Sequence, residues 1–316
     1  MLIQFSSNVF KAVYGIVFYN FKGIFLFSLA AVIAVVQHSM DGIYHWTGLD
    51  LPVVPVTIVG GALAIFLGFR NNSAYDRWWE ARKVWGGIVN TSRTLSSHVM
   101  TFPSEKHGNA SFEEIKKWRK SIIHRQICWL YTLKFHLRKQ VKWDKLLEYM
   151  GKEEFDELMN KTNKPAQLLH NQNQAIAYAF EKGMIDTFRH IELSKLVQEL
   201  YNMQGMCERI KNTVFPFYYN YFTQVFLWIF IICLPFSLAP QMGFMAIPMS
   251  IAISFIFYIL DKSGEITEDP FEGRAADTPM STITRSIEID LLEMLGEKTP
   301  KPQEISKTKF GALFME

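Results

Sequence analysis

NTVFPFYYNYFTQVFLWIFIICLPFSLAPQMGFMAIPMSIAISFIFYIL, residues 212–260, contains no Asp, Glu, Lys, Arg or His. Its 49 residues are too many for one buried core helix, and they suffice for two membrane crossings of about 20 residues each. Pro235, then Pro240-Gln241-Met242-Gly243, interrupts the run near its middle. This predicts a transmembrane hairpin, with one span near Phe222–Ala239 and the next near Phe244–Leu260.

Two more uncharged windows, Gly23–Met40 and Leu51–Phe69, precede Arg70, and the only ionisable side chain in them, His38, sits at an edge. Four spans are expected, around a water-soluble middle. The expected organisation is an N-terminal segment with spans one and two (1–69), a cytoplasmic helical region (70–211), spans three and four (212–260) and a C-terminal cytoplasmic segment wrapping the bundle (261–316). Composition agrees: 49% of residues are hydrophobic, yet mean hydropathy is only +0.05, as when an apolar half is averaged with a charged half. Arg70, Arg77, Arg82 and Lys83 follow the second window, whereas the loop before it carries Asp41 and Asp50. The positive-inside rule puts the 70–211 region and both termini in the cytoplasm. The start, Met1-Leu2-Ile3-Gln4-Phe5, lacks the basic and apolar regions of a removable signal. A multi-pass protein of a bacterial inner membrane or a plasma membrane is expected.

The middle reads as helical, and the fold class as all-α. Asn71-Asn72-Ser73 is a candidate cap or restart at the membrane surface. Ser111 and Glu114 form a capping-box pattern opening a helix over Glu113–Gln140, with Ile122, Trp129 and Leu133 on its apolar face. Lys161–Pro165 breaks the pattern; Ala166–Lys211 resumes it, with Gly183 and Gly205 as possible interruptions.

Chemistry is sparse. Cys128, Cys207 and Cys233 are odd in number and show no CxxC or Cys/His spacing, so they predict reduced, packed thiols. The membrane windows hold no carboxylate pair or His motif, and no nucleotide, hydrolase or zincin signature occurs. The histidines His98, His107, His124, His136, His170 and His190 are scattered, which argues against a metal site or a catalytic base, and the protein is not expected to be an enzyme. The formal charge of +3 divides unevenly: residues 261–316 carry 12 acidic and 7 basic residues, leaving 26 basic against 18 acidic before them. Docking of the acidic C-terminal segment on the basic middle explains this division; anionic lipid contact and an electrostatic funnel for ions are the alternatives. Lys and Arg are interspersed with Glu and Asp, so nucleic acid is not expected as a partner.

The second window ends Gly60-Gly61-Ala62-Leu63-Ala64-Ile65-Phe66-Leu67-Gly68-Phe69, rich in small residues that let helices approach closely. Gly61, Ile65 and Phe69 recur every four residues and share one helical stripe. Such a stripe either packs against lipid and neighbouring helices or, with several copies around an axis, lines a narrow apolar throat.

From Ile65 through Phe69-Arg70-Asn71-Asn72-Ser73-Ala74-Tyr75-Asp76-Arg77-Trp78-Trp79-Glu80-Ala81 to Arg82, the chain closely resembles the bacterial members of the bestrophin family. Cys207-Glu208-Arg209-Ile210, Glu268-Asp269-Pro270-Phe271 and Ser286-Ile287-Glu288-Ile289-Asp290-Leu291-Leu292 extend the resemblance in matching order over most of the chain. It implies a homopentameric ion channel with one continuous central pore. The matching neck positions are Gly61, Ile65 and Phe69, where apolar rings block conduction by dewetting. A cytoplasmic exit constriction is implied near Phe188, with Ile185 its apolar neighbour.

The chain also departs from the family pattern. Animal bestrophins are calcium-activated anion channels with a Phe where this chain has Ile65, and Gly61 supplies no side chain to its ring. Bacterial relatives are associated with monovalent cation conduction, while the family is described as chloride channels. Where the animal proteins carry an acidic run for calcium, only Glu268 and Asp269 remain before Pro270. Hard-cation sites want six or more oxygens, so no calcium or other cofactor is expected, and the two carboxylates are expected to tie the C-terminal segment to the bundle. The expected function is passive flow of monovalent ions through a hydrophobically gated pore, with further copies of the chain and membrane lipids as partners. The alternative is a membrane-anchored helical interaction or sensory module whose soluble half does the work.

Overall fold

Nine α-helices dominate the residues described by the computed structural model, which are 2–4, 20–44, 51–104, 110–213, 217–274, 276–304, 306–307 and 313–314. In chain order they are α1 (Phe21–Tyr44), α2 (Val53–Thr101), α3 (Phe112–Leu137), α4 (Lys152–Met159), α5 (Lys164–Glu181), α6 (Thr187–Asn212), α7 (Phe217–Met242), α8 (Ala246–Glu268) and α9 (Met280–Leu295). Short strands β1 (Leu2–Gln4), β2 (Ser306–Lys307) and β3 (Leu313–Phe314) pair antiparallel in the order β1-β3-β2. The all-α expectation stands, with this small strip joining the two ends of the chain. Residue 5, the 45–50 segment with Asp50, and His107 lie outside the described residues, as does the side chain of Asp41.

Two apolar layers share α2. Its first half packs with α1, α7 and α8 through Phe27, Val56, Leu63, Leu67, Leu227 and Phe230. Its second half enters a larger core with α3, α5, α6 and α9, where Trp85, Ile88, Leu95, Ile122, Trp129 and Leu200 are at most 1% exposed. Burying each such side chain contributes about 1.5–3 kcal/mol. Two of the core's indoles are hydrogen-bonded: Trp129 Nε1 donates to Gln204 Oε1 at 3.1 Å and Trp118 Nε1 to the Ala175 carbonyl at 2.7 Å, whereas the buried Trp85 Nε1 has no partner among the described residues. Several hydroxyls on the apolar helices bond back one turn, as Ser28 does to Ile24 O and Thr223 to Tyr219 O, which keeps those groups satisfied in an apolar setting.

Among the described residues, three stretches are long and apolar enough to cross a bilayer: Phe21–Met40, Val53–Thr101 and Tyr219–Glu268, the last taking in most of α7 and all of α8. The hairpin turn is displaced from its expected place. α7 runs through both Pro235 and Pro240 to Met242, and the reversal falls at Gly243–Met245, where Gly243 has φ 51°. A proline deprives the carbonyl four residues back of its donor. For Pro240 that carbonyl is Phe236 O, and Leu51 N supplies the replacement at 3.4 Å. A neighbouring segment thus keeps the helix intact where the bare sequence suggested a break.

The Asn71-Asn72-Ser73 restart is also corrected, because α2 continues unbroken for 49 residues, about 74 Å. The Asn71 amide donates to Leu260 O of α8 at 3.0 Å instead of to its own backbone, and Ala74 and Ala81 are fully buried. Tertiary packing outweighs the capping preference here. The expected boundaries at 69/70 and 260/261 consequently fall inside single helices. Elsewhere the capping box at Ser111 and Glu114 is present. Ala166–Lys211 divides into α5 and α6 around Gly183, at φ 70°, while Gly205 lies inside α6 without interrupting it. The three cysteines are free thiols, Cys128 and Cys207 buried, and burial pushes the Cys128 thiol up to about 12.

The acidic C-terminal segment does dock on the basic middle. Asp290 accepts from Arg93 Nε and Nη2 at 2.8 and 2.6 Å, Glu297 meets Lys120 and His124, and Glu272 meets Lys211. Glu288 is fully buried and accepts from Tyr131 Oη at 2.7 Å, Tyr149 Oη at 2.5 Å and Arg285 Nη1 at 2.6 Å. Burial first, then the adjoining Glu288 carboxylate, raises both tyrosine hydroxyls well above their ordinary range.

The paired glycines of α2 have different surroundings. A Cβ on Gly60 would lie 2.7 Å from Phe230 Cε2, whereas one on Gly61 would meet nothing within 4 Å. Gly60→Ala is therefore expected to cost about 1–3 kcal/mol by overpacking, and Gly61→Ala to leave the thermal midpoint of the detergent-solubilised protein unchanged. Equal midpoints for the two variants would contradict this packing.

Candidate functional site: the open face of the second helix

In the protomer, the apolar half of α2 packs along a narrow edge formed by Val56, Gly60, Leu63, Leu67, Arg70 and Ala74. The opposite face is open. Val54, Ile58, Ile65 and Phe69 are 63–70% exposed, and Gly61 falls between them on the same i, i+3/i+4 stripe. Phe66 turns to one side, its ring 5.6 Å from Tyr219 and 6.3 Å from Phe226. Beyond Phe69 the stripe becomes polar, continuing through the exposed Asn72 and Asp76. All three expected neck residues thus share one unobstructed face.

One residue past Phe69, roughly 100° around the helix, Arg70 is 1% exposed. Its Nη1 donates to Asp261 Oδ1 at 2.5 Å, and its Nη2 lies 3.6 Å from Glu268 Oε2. Asp261 Oδ2 accepts from Gln224 Nε2 at 2.7 Å, so the pair joins α2, α7 and α8. Gly264 permits the approach: a Cβ there would fall 2.3 Å from Asn71 Oδ1. Two turns further on, Arg77 donates to three carbonyls, Glu268 O at 3.0 Å, Thr213 O at 2.7 Å and Ile210 O at 2.8 Å. These are acceptors left open at the C-terminal ends of α8 and α6, where a cation is electrostatically favoured. Trp78 Nε1 reaches Ala276 O at 2.9 Å, fastening the segment that follows α8.

Glu268 and Asp269 therefore face arginines, Arg70 and Arg77 respectively, the latter at 4.0 Å. The turn after them is held by Asp277, which accepts from Gly273 N and Arg274 N at 2.7 and 3.0 Å, while Phe271 is buried. The structure separates the two expected exit residues. Phe188, in the first turn of α6, is 84% exposed, whereas Ile185 is 2% exposed within the larger core and lines no open surface of the chain.

Sequence reasoning missed Asp261, Arg77 and Glu288 as organising residues. A signal for the first was present: Arg70 and Asp261 are the first charges after the second window and after the 212–260 run, with opposite signs at the same end of adjacent spans.

These features define an all-helical protein with bilayer-length apolar helices grafted onto a packed polar bundle, and comparison with known proteins gives its family. The family model described as Bacterial/Fungal Bestrophin protein matches residues 1–293, and the chain belongs to that family. It is 32% identical over 273 residues to the voltage-dependent anion channel-forming protein YneE of Escherichia coli, spanning 86% of this chain and 84% of that protein. The Salmonella typhi protein of the same name is 30% identical over 286 residues, 90% and 89% of the two chains. The crystal structure of a bacterial bestrophin homologue from Klebsiella pneumoniae superposes with a TM-score of 0.79 at 28% identity, covering 87% of this chain and 98% of that one.

Breaking a buried ion pair by removing one partner typically costs about 3–5 kcal/mol, while replacing both partners with apolar groups is often tolerated. Asp261→Asn is thus expected to lower thermal stability strongly, and Arg70→Met with Asp261→Leu to recover most of the loss. A single variant as stable as the parent protein would rule out this clamp.

Proposed function

We propose that the chain assembles as a homopentamer around one central pore for passive flow of monovalent ions, with Gly61, Ile65 and Phe69 forming its neck. The observation that carries this reading is the apolar stripe of α2: it is open in the protomer and ends at a buried Arg70 that sets its orientation. Five copies of Ile65 and of Phe69 around an axis would make rings of apolar side chains. Such rings close a pore by dewetting and open it by a small outward turn of each helix. Self-association also gives the exposed apolar face of α2 a burial site, as the hydrophobic effect requires.

The names of the relatives support anions as the permeant species. The neck itself contains no ionisable side chain, so selectivity between chloride and a monovalent cation would come from ring electrostatics and flanking charge. Phe69 is the only aromatic of the three. In this reading the protein sits in a bacterial inner or plasma membrane with four spans and both termini cytoplasmic, Phe188 marks the cytoplasmic exit, and Glu268 and Asp269 serve as arginine partners without calcium.

Purified assemblies in a planar bilayer between unequal KCl solutions test conduction and selectivity together. A reversal potential at the chloride equilibrium value is expected for an anion channel, and one at the potassium value would assign cations. Ile65→Phe should change single-channel conductance. Silence under both gradients, with intact oligomers, would favour a membrane-anchored helical interaction or sensory module.

A further inference from the structure

The loop after α3 and the last turn of α6 enclose an open cleft of about 450 Å3. His136, Lys139, Trp143, Lys164, Glu208 and Lys211 are among its lining residues. Glu208 is engaged through Oε1 by Asn163 Nδ2 at 3.0 Å and Gln204 Nε2 at 2.9 Å. His136 Nε2 lies 3.9 Å from the same oxygen, and Lys211 meets Glu272. With Lys211 offset by Glu272, Lys139 and Lys164 line the cleft against the one carboxylate of Glu208, and Lys164 Nζ also donates to the Lys161 carbonyl at 2.9 Å. Next to the lining residue Val141 in the chain, Lys142 is exposed, as is Asp144, while Arg138 turns to the C-terminal segment, its Nη1 donating to Ser281 Oγ at 3.1 Å.

Its position is tied to the ends of the apolar helices. Asn212, in the cleft wall, precedes Thr213, whose carbonyl shares the Arg77 guanidinium with Glu268 O, the last carbonyl of α8. Arg77 lies seven residues beyond Arg70 on an unbroken helix, about 10 Å along its axis. The headgroup layer reaches roughly 5–8 Å past the hydrocarbon on each side, so Arg77 stands at its outer margin, within the length of a lysine side chain.

Two further observations concern the loop itself. Lys139 adopts φ 52°, the only positive φ among the described non-glycine residues. This helix-ending position favours Gly or Asn and costs other residues about 1–2 kcal/mol, so the lysine stands where local structure alone would not select it. Val141 is 83% exposed, between Lys139 and Lys142 on one side of it and the other and beside Trp143, whose ring lies 5.6 Å from Lys164 Nζ. An exposed aliphatic flanked by lysines and an aromatic residue is the composition of a segment that rests in a membrane interface.

We propose that this cleft binds the phosphate headgroup of an anionic phospholipid in the adjoining leaflet, with Lys139, Lys142 and Lys164 facing the phosphate and Val141 entering the acyl boundary. The inference rests on the reading that α7 and α8 cross the membrane, and it goes beyond ion conduction, since the cleft is built by α3 and α6 rather than by the open face of α2.

Full-length protein in detergent is titrated calorimetrically with dioctanoyl phosphatidylglycerol, dioctanoyl phosphatidylcholine and inorganic phosphate. Saturable phosphatidylglycerol binding that weakens with salt is expected, with phosphatidylcholine and phosphate much weaker. K139Q/K142Q/K164Q should weaken phosphatidylglycerol binding roughly 100-fold. V141S should weaken the lipid but not phosphate. Because these side chains lie at the surface, unchanged circular dichroism and elution volume are expected to accompany the loss. Equal binding of phosphatidylcholine, undiminished binding by the triple variant, or inorganic phosphate binding as tightly as the lipid would overturn the proposal, the last in favour of a soluble anion. Failure of the protein to insert into liposomes would instead overturn the membrane reading on which it rests.

Discussion

The Arg70–Asp261 ion pair is the constraint around which the rest of the molecule is arranged. Two buried charges gain little net stability, because desolvation costs several kcal/mol per ion. Their contribution is positional. With Gln224 on the second oxygen of Asp261 and Glu268 3.6 Å from Arg70 Nη2, the pair is held from both α7 and α8. That arrangement fixes the rotation of α2 relative to α7 and α8 at the residue that follows the apolar stripe. Arg77 repeats the device one layer further on, closing the exposed carbonyls of two helix ends with one side chain. The lack of a side chain at Gly60 and Gly264 lets the three helices come close enough for both contacts to form.

The same helix then belongs to two environments. Above Arg70 its packed edge meets leucines, phenylalanines and an isoleucine; below it, the helix is surrounded by α3, α6 and α9 and contributes Trp85, Ile88 and Leu95 to a conventional core. The C-terminal segment completes that lower core instead of trailing from it. Glu288 is buried only because two tyrosine hydroxyls and Arg285 satisfy it, and Asp290 and Glu297 hold the outer face of α9 and its end. The surplus of acid after residue 260 is thus largely matched, residue by residue, to bases that precede it.

Much of this was legible in the chain. Absence of charge located the apolar helices, because no ionisable side chain is cheaply placed in hydrocarbon, and the Ser111/Glu114 pattern located a helix start because capping is a local interaction. The period-four spacing of Gly61, Ile65 and Phe69 placed them on one face for geometric reasons alone. What failed depended on partners distant in sequence. Pro240 read as a breaker because a replacement donor from Leu51 is invisible locally, and Asn71 read as a cap because its acceptor on α8 lies 189 residues away. Ile185 and Phe188 look equivalent as neighbouring apolar residues, and only packing distinguishes a core side chain from an exposed one.

The continuity of α2 has a mechanical consequence. A straight rod held near Arg70 extends about 25 Å to Val53 on one side and about 46 Å to Thr101 on the other. A tilt of about 5° around that hold shifts the far ends by roughly 2 and 4 Å, but moves Ile65 and Phe69, within two turns of the pivot, by less than about 1 Å. Bending forces on the polar bundle are therefore geared down before they reach the apolar stripe. Torsion is not: twisting the rod turns every side chain along it through the same angle. A helix built this way is insensitive to sway and responsive to spin.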